Sequence, residues 1–200
     1  MTTSSDCECP ECECPECECE EPLECWWQSP TATHCDFVVD PGLSVVFNGT
    51  VYAQVRECDS RTTTTVIDDD DAWIVDVHLK VGGQLIDLFC GYWCISVCLE
   101  SMCGDNDYRF PQDATTPKGY CCCLLDIDQG KTDYDTEICV PAGIVEESEC
   151  GAPYELTVIV TTLKEECVKK DGKRCDPGNH RPLGIATSCE LPLMTFYKGI

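Results

Sequence analysis

The chain has 200 residues, enough for one domain of ordinary size with a real core. Its formal net charge of −24 argues against polyanionic partners, nucleic acid and anionic membranes among them, and favours cations. Its 21 cysteines are an odd number, so at least one thiol cannot pair within the chain, and no run approaches the ~20 apolar residues that span a bilayer.

Residues 1–24 form the first segment. It contains CECPECECPECECEE, a five-residue unit CECPE written three times, with Glu20 in the place of the third proline. The segment holds nine acids and no base, and apart from cysteine only Met1 and Leu23 are apolar. Too little surface can be buried to offset the entropy of ordering. Pro10, Pro15 and Pro22 rule out a continuous helix, and a period of five matches neither helix nor strand. A disordered acidic arm is expected. The opening MTTSSDCEC has neither the basic nor the apolar region of a secretory signal, so synthesis in the cytoplasm is expected. That compartment keeps thiols reduced, at odds with such dense cysteine unless the thiols bind metal or meet an oxidant later.

The composition changes at Cys25. Trp26 and Trp27 suit two roles, anchoring the arm to the body or a neighbour and packing in a core. LSVVF and TVYAQV flank Asn48-Gly49, a strong hairpin signal, so a tight turn is expected there in preference to a glycosylated sequon. RTTTTVIDDDD, residues 61–71, reads as a polar loop, and its aspartates lack the spacing of a calcium loop. AWIVDVHLKV alternates, placing Trp73, Val75, Val77 and Leu79 on one face. In the next strand Trp93, Ile95, Val97 and Leu99 share an apolar face, and Cys90, Cys94 and Cys98 take the other. YCCCLLDI is a further strand ending in a turn at Asp128-Gln129-Gly130. DTEICVPAGIV and YELTVIVTTLKEEC follow, then the turn KKDGKR, and a last strand lies within IATSCELPLMTFYK. Seven or eight short strands with no long helical pattern predict an all-β fold, an antiparallel β-sandwich over residues 25–200. The piece ICVPAGIVEESECGAPYELTVIV resembles the region between the fifth and sixth strands of immunoglobulin-like domains. That resemblance gives Tyr154 a tyrosine-corner position. A jelly roll leaves nearly the same trace.

Two chemistries fit the arm. Cys-x-Cys pairs turn two thiolates toward one ion, and the arm resembles metallothioneins in this pairing and in lacking aromatic residues. Cys7, Cys9, Cys12, Cys14, Cys17 and Cys19 with Cys25 make seven soft ligands, enough for two Zn²⁺ sharing one bridging thiolate, or for Cu(I). The neighbouring glutamates oppose this by raising thiol pKa values. Alternatively, the same cysteines form disulfides with other subunits, giving a homo-oligomer or polymer. The plan of a cysteine arm before a β-rich body, made without a signal peptide, resembles bacterial spore-surface and spore-appendage proteins. It implies crosslinking on assembly at a cell or spore surface. In the body, Cys121 and Cys123 share a face; beside Cys90, Cys94 and Cys98 they would line a thiol surface. Cys167 and Cys175 flank VKKDGKR and form a natural cross-strand pair if their Cα atoms approach within ~6 Å.

His34 and His78 sit in no zinc spacing, and there is no nucleophile elbow, phosphate loop, dinucleotide fingerprint or HExxH motif. No enzymatic activity is expected. The reading is a structural, self-associating protein whose arm links subunits by disulfides, with a thiolate metal-binding protein as the alternative.

Overall fold

The computed structural model describes residues 25–29, 32–37, 47–84, 86, 91–103, 107–111, 122–145, 152–164 and 181–198. The arm, the LSVVF stretch before Phe47 and the KKDGKR turn lie outside them. Within them the chain is a β-sandwich. Its strands are β1 (Thr33–Asp36), β2 (Asn48–Glu57), β3 (Val66–Asp68), β4 (Trp73–Gly82), β5 (Tyr92–Ser101), β6 (Tyr108–Phe110), β7 (Cys123–Asp126), β8 (Asp133–Val140), β9 (Tyr154–Lys164), β10 (Arg181–Glu190) and β11 (Thr195–Tyr197). One sheet runs β1-β2-β4-β8; the other runs β10-β9-β5-β6, with β7 also paired to β5. Every pairing in these two sheets is antiparallel, while β3 and β11 form a small parallel pair. No helix among the described residues is long and apolar enough to cross a membrane.

Alternation explains the layers. Val51, Ala53 and Val55 of β2 stand opposite Leu79, Val77 and Val75 of β4, and all six are buried. They face Trp93, Ile95, Val97 and Leu99 of β5 and Leu156, Val158 and Val160 of β9, which complete one core. Trp93 is the centre of one aromatic group, with ring centroids 5.9 Å from Phe37, 6.4 Å from Phe47 and 6.0 Å from Tyr134. Trp73 centres another, 6.0 Å from Phe110 and 5.7 Å from Phe196. Tyr154 opens β9 as expected. It is buried, its backbone exchanges both hydrogen bonds with Met194, and its ring meets Phe196 edge-on at 5.4 Å. The Asp128–Gly130 turn is also present, with Gly130 at φ 78°, a left-handed conformation that glycine adopts without a Cβ clash.

Two local readings are corrected. Asn48-Gly49 is no hairpin turn: both residues lie inside β2, opposite Gly82 and Val81 of β4. Their turn preference is overruled by a ten-residue antiparallel pairing. Gly49 is there for close approach, since a Cβ at this position would overlap the Phe37 ring and lie 3.1 Å from the Lys80 carbonyl. That ring is itself held against Phe47 and Trp93. Gly49→Ala is therefore expected to destabilise the fold by about 1–3 kcal/mol through overpacking, read as a lower urea midpoint at unchanged slope. The second correction concerns 61–71, which is not wholly loop. Thr63 bridges to Arg56, and β3 buries Ile67 in the core.

Candidate functional site

The parity of β5 is as expected: its odd positions enter the core, and Cys94, Ser96 and Cys98 point to the other face. β7 does lie beside β5, pairing Cys123 with Ile95, Leu124 with Cys94 and Leu125 with Trp93. This register reverses the expected role of the CCC run. Cys123 sits on the core side, 4 % exposed, and its sulfur accepts from the Thr136 hydroxyl at 3.0 Å. Cys122 turns to the outer face and bonds to Cys94, with the Cα atoms 5.3 Å apart. Of the expected thiol face, Cys123 is thus corrected to the core side, and the sulfur that joins Cys94 is Cys122, as a disulfide. Register was the missing information, because a shift of one residue exchanges the faces.

Cys58, Cys103 and Cys123 are disulfide-bonded too. Cys98 is a buried thiol 3.6 Å from Glu100 Oε1. Burial raises its pKa, Arg109 opposes this, and Glu100 adds to it. Cys35 of β1 and Cys189 of β10 are reduced and turned inward, one half-buried and the other fully buried. Cys25 is a thiol on the surface. Cys7, Cys9, Cys12, Cys14, Cys17, Cys19, Cys90, Cys121, Cys167 and Cys175 lie outside the described residues, so the arm ligands and the Cys167–Cys175 pair keep their standing as expectations.

The root of the arm is well defined. After Cys25, with φ 60°, residues Trp26–Gln28 make one 3-10 turn. Trp27 stacks on His78 at 4.1 Å with the rings 3° from parallel. Tyr52 flanks the stack, and Lys80 Nζ lies 5.7 Å from the Trp27 ring. His78 Nδ1 is 2.7 Å from Asp135 Oδ1, and its Nε2 faces Asp133 at 3.4 Å. The Asp135 carboxylate orients the imidazole, and the imidazole presents a flat face to the indole. Of the two roles open to the tryptophan pair, Trp27 takes the anchoring one: it fastens the start of the body to the outer face of β2 and β4. His78 as its partner was not legible, because outward alternation says nothing of what stacks there.

The same outer face holds Arg56, with no exposed surface, and Asp76, 1 % exposed. Arg56 Nε is 3.1 Å from Asp76 Oδ2, and Gln54 Nε2 donates to the same oxygen at 2.8 Å. Arg56 Nη2 also faces Glu137 at 3.4 Å.

Among the described residues, Asp68, Asp69 and Asp70 are the His, Cys, Asp or Glu group whose ligand atoms come within 4.8 Å of one another. Asp70 N–H donates to Asp68 Oδ1, so the cluster is closed partly on itself. Burial and then the charges of Asp59, Asp71 and Asp68 raise the pKa of nearby Glu57. An open cleft of about 400 Å³ runs past Trp26, Gln54, Arg61 and Thr62–Thr65. Its Thr62 and Thr64 hydroxyls are occupied by Ser60 and by the Val66 carbonyl. No family model, curated protein or solved structure matches the chain.

Proposed function

We propose that this is a structural, self-associating protein in which a β-sandwich body packs and an N-terminal cysteine arm links subunits through intermolecular disulfides. The observation that carries this reading is the contrast between Cys25 and the other described cysteines. Cys25 is exposed at the arm's root, which Trp27 fastens to the sheet. The other described sulfurs are bonded, as at Cys94 and Cys122, buried, as at Cys98 and Cys189, or half-buried, as at Cys35 and Cys139, so Cys25 is the exposed thiol among the described residues. An anchored root with six further thiols ahead of it is suited to bonding outward, while its glutamates keep the unbonded arm soluble. The sandwich supplies a stable block, and the reading needs no catalytic group from it.

Intact mass measurement without reductant tests this directly. Covalent multimers are expected that collapse to 22.2 kDa on reduction. Changing Cys7, Cys9, Cys12, Cys14, Cys17, Cys19 and Cys25 to serine should abolish them while circular dichroism and the thermal midpoint stay as in the parent. A monomer carrying whole zinc or copper ions, released by acid, would overturn the crosslinking reading in favour of a thiolate cluster.

A further inference from the structure

β1 and β10 are the terminal strands of the two sheets and meet along one side of the sandwich. The Thr187 hydroxyl of β10 donates to the Asp36 carbonyl of β1 at 3.4 Å. One residue from Asp36, Cys35 stands opposite Val51 on the inward face. Two residues from Thr187, Cys189 stands opposite Val158, also inward. Both thiols are reduced and belong to or pack against the same core, where they interact with each other. We propose that Cys35 and Cys189 are a latent inter-sheet disulfide, which on oxidation staples the first strand of the body to the edge of the opposite sheet.

The strands in question give the staple its purpose. β1 has four residues and pairs only with β2 within its sheet. It is the first strand after the Trp27 anchor, so tension on the arm that passes the anchor enters the sheet there. A Cys35–Cys189 bond would share that tension between both sheets. This purpose rests on the arm being a link between subunits; the bond itself does not.

The chemistry is thiol–disulfide exchange with a small-molecule disulfide. Cys35, half-buried, is the accessible partner and attacks first as thiolate, releasing one small thiol and leaving a mixed disulfide on its sulfur. Cys189 loses its proton and attacks the Cys35 sulfur, and the second small thiol leaves. Two protein thiols are oxidised while one small disulfide is reduced to two thiols. Cys189 is slow in this role, because burial first, and then the Cys35 thiol and Glu190, push its pKa up. In the folded protein the pair therefore closes slowly, on sustained exposure to oxidant.

Full-length protein treated with oxidised glutathione, blocked with N-ethylmaleimide and digested should yield a peptide pair joined through Cys35 and Cys189. The thermal midpoint should rise by roughly 5–15 °C on treatment, and this rise should vanish in Cys35→Ser. Cys35 is half-buried, so that variant keeps the fold where Cys189→Ser would strain it. Recovery of both residues as maleimide adducts, or of either bonded to another cysteine, overturns the staple. The peptide pair is read independently of multimers. Multimers lost with the pair intact refute the linking role of the arm alone, and the pair lost with multimers intact refutes the staple alone.

Discussion

Replacing Arg56 by methionine should cost about 3–5 kcal/mol, because it leaves the buried carboxylate of Asp76 without its cation. Arg56 has no exposed surface and its Nε lies 3.1 Å from Asp76 Oδ2. The pair is not a gain over an apolar core, since the Asp76 pKa already stands above its ordinary 3.8. Burial raises it, and the hydrogen bond from Gln54 and the charge of Arg56 only partly offset this. The sign follows from proton linkage. A carboxyl with a raised folded pKa contributes stability while protonated and loses that contribution as pH rises through the folded value. Without Arg56 the pKa climbs further. The deficit of Arg56→Met should therefore be largest near neutral pH and shrink as pH falls toward the ordinary carboxylate range. A double change to Arg56→Met and Asp76→Leu should recover most of the loss, because it removes both charges together. Gln54 is only partly buried and Glu137 is 42 % exposed at its side chain, so water can serve both. Urea unfolding of the singles and the double at two pH values makes the check. A double as unstable as the sum of the singles would mean that the two charges act independently.

The second large effect belongs to Cys94–Cys122. Changing both to alanine should lower stability by about 3–4 kcal/mol in the loop-entropy account, since the bond closes a span of 28 residues. The bond also ties β7 to β5 at the place where β7 contributes Leu125 and Cys123 to the core. Thermal unfolding of parent and double variant under non-reducing conditions reads the difference. No difference would mean that the pairing of β7 with β5 holds without the bond. The CCC run also gives a sharper test of register. Peptide mapping should find Cys94 joined to Cys122, and a Cys94–Cys121 or Cys94–Cys123 link would place β7 out of the register described.

These two sites show what was legible beforehand and what was not. Alternation in AWIVDVHLKV and in YWCISVCLES located β4 and β5 and told the core face from the outer one, down to Trp73, Trp93 and the outward turn of Cys94. Local pattern suffices there because side-chain period two is a property of the strand itself. The same reasoning failed at Asn48-Gly49. Its turn preference is intrinsic and small, whereas ten paired residues and a Phe37 ring seated over Gly49 decide the conformation. It failed again at Arg56 and Asp76. Alternation puts both on the outer face, where charged residues are ordinarily solvated, yet both are buried and paired.

By itself the sequence determined the all-β class, the inward faces of the central strands, the acidity, and the concentration of thiols ahead of the body. Each is carried by composition or by neighbours a few residues apart. The tertiary structure decided which sulfur meets which: Cys94 with Cys122, Cys123 into the core, and Cys35 opposite Cys189 across two sheets. It also decided that Trp27 closes on His78. Partners of this kind lie far apart in the chain and are matched by register and sheet packing. A one-residue slip would send each of these side chains to the opposite face while leaving the local pattern unchanged.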